Sequence, residues 1–204
     1  MACDTRGIGL AVQSNRVLWS FGEQTMTGVK VGEPQGGHVF VTVGTTLFDA
    51  LIQAVDTPAF KRILLDKGYS NLVIQYGKGR IHPKEGVFED GGRALRVEAF
   101  TFKPSLADYV KNAGLVISHA GSGSIFETLR AKRPLVVVVN ELLMDNHQQE
   151  LADALADNRF LVVAKPSNLP ERVGQFDQSS LVEYPKADAG NFAVELDRLV
   201  GFAP

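Results

Sequence analysis

Three short stretches carry the residue types that bind phosphates and hydroxyls. The first is Gly44-Thr45-Thr46, where a glycine and two hydroxyls opening a helical pattern would offer backbone N–H groups and side-chain donors to an anion. Thr46 is also followed three places on by Asp49, so the same residues read as a capping box that needs no ligand. The second is His119-Ala-Gly-Ser-Gly-Ser124, followed by Ile125-Phe126-Glu127. Gly121, Ser122, Gly123 and Ser124 would let a backbone approach a diphosphate closely. Glu127 has two readings: the end of a capping box that starts at Ser124, or a carboxylate accepting both hydroxyls of a ribose. The third is the polar run from Asn140 to Gln149, whose amides donate and accept at once and so suit a hydroxyl-rich ligand such as a sugar. Within it, Asp145-x-x-Gln148 also reads as a cap.

The elements that must hold these stretches follow from hydrophobic periodicity. Val39 to Val43, Asn71 to Gln75, Leu95 to Phe100, Leu115 to Ser118, Leu135 to Val139 and Phe160 to Val163 are apolar runs of strand length. Between them the spacing predicts helices around Leu47 to Val55, Phe60 to Leu65, Pro104 to Ala113, Ser124 to Ala131 and Asp145 to Asp157. Strands apolar on both faces that alternate with helices predict an α/β domain, a Rossmann-like parallel sheet covered on both sides. In such sheets ligands bind beyond the carboxyl ends of the strands, which is where the three polar stretches fall. Residues 1–37 are glycine-rich and lack a sustained apolar period, so they read as a flexible leader ahead of a domain over 38–204. A short strand from Arg16 to Phe21 is possible within them.

Composition narrows the function classes. At 204 residues, 45% hydrophobic and 22% charged, the chain has the make-up of one globular domain. The longest apolar run, Leu135 to Val139, is far short of a membrane span, and no signal pattern opens the chain, so a soluble, unsecreted protein is expected. Cys3 is the single cysteine, which excludes an internal disulfide and a thiolate-rich zinc site. The four histidines lack metal-ligand spacing, there is no Asp-x-Asp, and neither a metal nor a cofactor is expected. A net charge of −2 gives no electrostatic footprint for nucleic acid. Gly44-Thr45-Thr46 and Gly121-x-Gly123 both lack the full dinucleotide fingerprint, which argues against a nicotinamide-dependent oxidoreductase. No lysine follows the second loop as a phosphate-binding Walker loop requires, and Ile125 stands where a nucleophile elbow needs glycine.

Taken together, Val41-Thr-Val-Gly-Thr-Thr46, Val116-Ile-Ser-His-Ala-Gly-Ser-Gly-Ser124, Glu127-Thr-Leu and Lys132-Arg-Pro through Asn146-His-Gln-Gln149 resemble a known family. It is the catalytic, cytosolic subunit of the two-subunit N-acetylglucosaminyltransferase of dolichol-linked oligosaccharide synthesis, a glycosyltransferase family 28 C-terminal-like domain. The same region is more distantly similar to the donor-binding half of the bacterial enzyme that adds N-acetylglucosamine to lipid I.

The resemblance implies the donor-binding half of a GT-B glycosyltransferase split over two chains. It implies UDP-N-acetylglucosamine as donor and dolichol-diphosphate-N-acetylglucosamine as acceptor, with β1→4 transfer and inversion. The acceptor would be held by a membrane-anchored partner at the cytosolic face of the endoplasmic reticulum. Carried over, Gly121, Ser122, Gly123 and Ser124 would line the uridine diphosphate, and Glu127 would hold the ribose. Gln148 and Gln149, with Asn146 beside them, would contact the sugar; Gly44, Thr45 and Thr46 would face the diphosphate from the other side, and His119 lies in the same loop. The catalytic base stays unassigned. Another GT-B nucleotide-sugar transferase, or a non-catalytic nucleotide-binding module that regulates a partner, are the alternatives. Near the C-terminus, Phe192, Leu196 and Leu199 recur at helical spacing, and the stripe reads either as a closing helix or, by the resemblance, as the surface that docks the partner.

Overall fold

The computed structural model describes residues 37–140 and 146–185. The leader, the strand expected from Arg16 to Phe21 and the stripe of Phe192, Leu196 and Leu199 lie outside the described residues, as do the side chains of Asn146 and His147.

Seven strands form one sheet in the order β3-β4-β2-β1-β5-β6-β7: β1 (His38–Thr42), β2 (Asn71–Gln75), β3 (Gly86–Asp90), β4 (Arg93–Phe100), β5 (Ala113–His119), β6 (Leu135–Val138) and β7 (Val162–Ala164). Six run parallel, and the expected all-parallel sheet is corrected at one edge, where β3 pairs antiparallel with β4. The two strands meet through Gly91 and Gly92, both at positive φ, the conformation that tight hairpin turns demand. Residues 86–90 escape a periodicity reading because this edge strand is half solvated and carries Glu89 and Asp90.

Central strands are buried on both faces, so alternate residues feed two cores. Val39, Val41, Leu72, Ile74, Leu115 and Ile117 pack under α1 (Asp49–Val55), α2 (Pro58–Asp66) and α6 (Leu169–Gln175). Phe40, Val73, Val116 and Val137 pack under α3 (Ala107–Lys111), α4 (Ser122–Arg130) and α5 (Asn146–Asp157). The helix expected from Pro104 to Ala113 is cut to five residues, because pairing with His38 draws Ala113 into β5 and the Ser105 hydroxyl holds the Ala107 N–H. Helix α6 lies in a proline-containing stretch that periodicity alone does not resolve. No helix among the described residues is long and apolar enough to cross a membrane.

Strand order places the site. From β1 the chain first winds outward through β2 and β4, then returns to the other flank of β1 with β5 and winds away again through β6 and β7. The loops therefore part at the carboxyl ends of β1 and β5, the switch point where doubly wound sheets open a crevice.

A charged pair pins the helical layer on the β2 side. Lys61, 7% exposed in its side chain, donates to Asp56 Oδ1 at 2.6 Å, and Asp56 Oδ2 accepts the Lys84 N–H at 3.0 Å. Truncating the carboxylate strands a buried ammonium, whereas replacing the lysine with an apolar chain of similar size removes that charge and leaves Asp56, 15% exposed, still bonded to the Lys84 N–H. Asp56→Ala is expected to destabilise by about 3 kcal/mol and Lys61→Met by under about 1 kcal/mol, measured by urea unfolding; equal losses would count against this account.

Candidate functional site

The turn after β1 is built around a buried glutamine at the end of β2. Gln75, 2% exposed, accepts at Oε1 from the Thr42 hydroxyl (2.6 Å), the Val43 N–H (3.1 Å) and the Gly44 N–H (2.9 Å). Its Nε2 donates to the carbonyls of Gly44 and Thr101, each at 2.9 Å. A buried primary amide is costly unless fully bonded, and here all its groups are engaged. Gly44 takes φ +58°, which a side chain rarely tolerates.

This arrangement corrects the anion-binding picture of Gly44-Thr45-Thr46 in detail. The Gly44 N–H is taken by Gln75 and the Thr42 hydroxyl, and the Thr46 N–H donates to the Val43 carbonyl at 3.1 Å. Helix α1 starts only at Asp49, with Phe48 at its N-cap position and no side-chain cap, so the Thr46–Asp49 capping box is absent. What faces outward is the Thr45 N–H with the Thr45 and Thr46 hydroxyls, none of which has a partner among the described residues. Asp49 Oδ1 instead accepts from the N–H groups of Arg80 (2.9 Å) and Ile81 (3.3 Å).

The loop after β5 lies beside this turn because β1 and β5 pair in register, Thr42 opposite Ser118. His119 fills the space between them. A methyl at Gly44 would come within 2.5 Å of its Cε1, and one at Gly121 within 2.3 Å of its Nε2, so a side chain at either glycine would displace the imidazole. Its Nδ1 is buried with no hydrogen-bond partner among the described residues. Burial holds this ring below the usual histidine range, and the nearby Thr42 carbonyl opposes that only in part.

Helix α4 opens at Ser122 with Gly121 as its N-cap residue and no side-chain cap. Ser124 is thus inside the first turn, and the Ser124–Glu127 capping box is corrected: the Ser124 carbonyl accepts the Thr128 hydroxyl at 2.8 Å, and the Ile125 N–H returns to Gly121. The N–H groups of Ser122, Gly123 and Ser124 are left without acceptors among the described residues, as the first turn of a helix leaves them. Glu127 is exposed and makes no ion pair or hydrogen bond through its carboxylate among those residues. Gly123 is the telling position. Its φ is ordinary and, among the described residues, nothing lies within 4 Å of where a Cβ would stand, so neither backbone nor packing by those residues requires glycine there, although glycine weakens a helix.

Neighbouring β6 ends at the same edge, and α5 starts the return from it with Gln148 and Gln149, both exposed, in its first turn. Gly44, His119 and Gly121 therefore meet where β1 and β5 end, with Thr45 and Thr46 following in one loop, Ser122 to Ser124 opening α4, Glu127 further along that helix, and Gln148 and Gln149 in the first turn of α5. Gln75 is the contributor that motif reading misses; its one signal is an amide closing a run of apolar residues. An open recess of about 530 Å3 lies elsewhere, lined by Asp157, Arg159, Val163, Lys165 and Arg172, and includes none of these residues. The crevice is the better candidate because it sets the unengaged N–H groups that open α4 at the carboxyl ends of the parallel strands.

His38 sits at the opposite end of β1, edge-on to Phe40 and Tyr109, with Nε2 buried and unpartnered among the described residues. Burial lowers its affinity for protons as well. Both rings bind a proton less readily in the fold than in the unfolded chain, where histidine protonates near the ordinary value of 6.5. The unfolded state then binds more protons below that value, so stability falls as pH drops through about 6.5. Urea unfolding between about pH 7.5 and about pH 5 should show this loss, with a shallower slope for His38→Phe; a flat profile would refute it.

Among known proteins, residues 38–199 match the glycosyltransferase family 28 C-terminal domain. The chain is 46% identical over 117 residues to a human protein named UDP-N-acetylglucosamine transferase subunit ALG13, covering 57% of this chain and 10% of that one. It is 34% identical over 195 residues to the protein of the same name from Cryptococcus neoformans, covering 80% of this chain and 96% of the relative. The chain thus spans about a tenth of its human relative and nearly the whole of the fungal one. In structure it is similar to an NMR solution structure of ALG13, with TM-score 0.59 and 27% identity over 79% of this chain and 95% of that one. It shares its fold with Acinetobacter baumannii MurG, with TM-score 0.57 and 21% identity over 82% of this chain and 50% of that one.

Proposed function

The chain belongs to the glycosyltransferase family 28 C-terminal domain family, and on that premise we propose that it is the donor-binding half of a two-subunit transferase using UDP-N-acetylglucosamine. In this reading the N–H groups of Ser122, Gly123 and Ser124 meet the diphosphate at the positive end of α4, a charge arrangement suited to a leaving nucleotide. Glu127, one turn further on, accepts from the ribose hydroxyls. Gln148 and Gln149, with Asn146, contact the sugar, and the Thr45 N–H with the Thr45 and Thr46 hydroxyls approach the diphosphate from the β1 side. His119 sets the spacing between the two loops. The acceptor in this proposal is dolichol-diphosphate-N-acetylglucosamine, extended by a β1→4 bond with inversion in the second step of lipid-linked oligosaccharide assembly. A membrane-anchored subunit at the cytosolic face of the endoplasmic reticulum supplies the acceptor site. What supports the donor assignment is the relatives' shared name and, above all, Gly123: a helix-weakening glycine that, among the described residues, has open space beside it, next to unengaged N–H groups and a carboxylate without a partner.

Two variants test the donor site against a purely structural reading. Gly123→Ala should raise unfolding stability by up to about 1 kcal/mol, because alanine is the better helix former, and still weaken UDP-N-acetylglucosamine binding at least about tenfold. Glu127→Ala should leave stability within about 0.5 kcal/mol and cost about 1.5–3 kcal/mol of donor affinity by calorimetry. Wild-type affinity in both would overturn the assignment.

The C-terminal stripe is part of the same proposal: Phe192, Leu196 and Leu199 dock the membrane-anchored subunit. Truncation before Asn191 is expected to leave a folded chain that neither co-purifies with that subunit nor supports transfer. A truncated chain that stays bound and active removes the docking role, and one that unfolds makes the stripe a closing helix of this domain.

A further inference from the structure

The switch-point crevice occupies only part of the edge where the parallel strands end. On its other flank, β1, β2 and β4 are neighbours and parallel, so the loops that follow them line one continuous stretch. After β2 comes Lys78-Gly-Arg-Ile-His-Pro-Lys84, with Lys78, Arg80, His82 and Lys84 all exposed. After β1 comes Leu47, 53% exposed, and after β4 come Phe102, 58% exposed, and Lys103. Only four large apolar side chains are this exposed among the described residues, and two of them bracket this basic loop.

The fold holds the loop firmly without neutralising it. Gly77 lies against Val43 and the Gly44 carbonyl, and Gly79 against Asp49. The carboxylates within reach are turned to other groups: Asp49 to the Arg80 and Ile81 N–H groups, Asp56 to Lys61 and the Lys84 N–H, and Glu85 to the Ala99 N–H. Lys78, Arg80 and Lys84 make no ion pair among the described residues. Lys103 lies over the Phe100 and Tyr109 rings and donates to the Tyr109 hydroxyl, with no ion-pair partner among the described residues. A chain of net charge −2 thus exposes cations without an ion-pair partner among the described residues on the loop after β2, with Leu47 and Phe102 exposed on the loops after β1 and β4.

We infer that this edge is a docking surface for an anionic phospholipid bilayer, with the cations of the 78–84 loop and Lys103 on headgroup phosphates and Leu47 and Phe102 in the interface. Basic residues attract a negatively charged leaflet and flanking apolar side chains add a contact that nucleic acid does not reward. The inference stands apart from the donor assignment, since none of its residues holds the nucleotide sugar in that reading.

The test is co-sedimentation of the full chain with vesicles of phosphatidylcholine alone or with about a third phosphatidylserine. Binding is expected to the anionic vesicles only and to weaken with added salt. Each basic side chain contributes about fivefold, so Lys78→Ser, Arg80→Ser and Lys84→Ser together should lower partitioning about a hundredfold. Leu47→Ser with Phe102→Ser should weaken it at low salt and leave the salt dependence in place. Unchanged melting temperatures and unchanged calorimetric titration by UDP-N-acetylglucosamine keep the result separate from failure to fold and from failure of the donor assignment. Equal sedimentation with neutral vesicles, full binding by the triple variant, or tighter binding to a single-stranded RNA than to anionic vesicles would overturn the inference.

Discussion

The buried amide of Gln75 is the interaction on which the candidate site depends. It sits where three backbone groups and a threonine hydroxyl leave the regular ladder, and it engages all of them while reaching across to the Thr101 carbonyl. Without it, the Gly44 and Thr101 carbonyls would lose this donor, and the Val43 and Gly44 N–H groups would keep only the backbone carbonyl of residue 75 and the Thr42 hydroxyl. The positive φ of Gly44, and hence the course of the chain toward α1, is held by this side chain together with the Thr42 hydroxyl and the Thr46 N–H on the Val43 carbonyl. His119 extends the constraint to the second loop, because its ring occupies the room that side chains at Gly44 and Gly121 would need.

The site is therefore made of two kinds of group. Gln75 is bonded to the Gly44 turn, and the His119 ring fills the room beside Gly44 and Gly121, so contacts within the chain account for these residue types. Gly123, Glu127, the first N–H groups of α4 and the outer face of Thr45 and Thr46 are not, and these are the groups that the family's chemistry engages in the proposed reading. Rigidity beneath and unengaged donors above is how a scaffold presents preorganised groups to an anion. The same division recurs at the 78–84 loop, where carboxylates bind the backbone and leave the cations outward.

Much of the fold is legible in local patterns. The six parallel strands and most of the helices follow from apolar periodicity, since each must bury its own side chains wherever it lies. Element limits are less legible: Ala113 joins β5 because His38 is there to pair with it, and α4 starts at Ser122 because Gly121 is the last extended residue. Strand β3 is hidden because a solvated edge needs no alternation, although Gly91-Gly92 between Val87-Phe88 and Leu95 is a hairpin signal in plain view. Both capping boxes, at Thr46 and at Ser124, are sound as local patterns and absent in the fold, which moves Glu127 from a cap to an exposed, unengaged carboxylate.

By itself, the sequence determined the α/β class, the three polar loops and the residue types that could meet a nucleotide sugar, because these rest on spacing along the chain. Only the tertiary structure decided which of those residues share a crevice, that Gln75 and not a helix end holds the Gly44 turn, and that Gly121 answers to His119 while Gly123 answers to nothing within the described residues. The physical reason is distance: Gln75 and Gly44 stand 31 positions apart, and His119 reaches Gly44 from a different strand. Hydrogen bonds and steric contacts act over a few ångströms of space, and strand order alone brings such residues within that range.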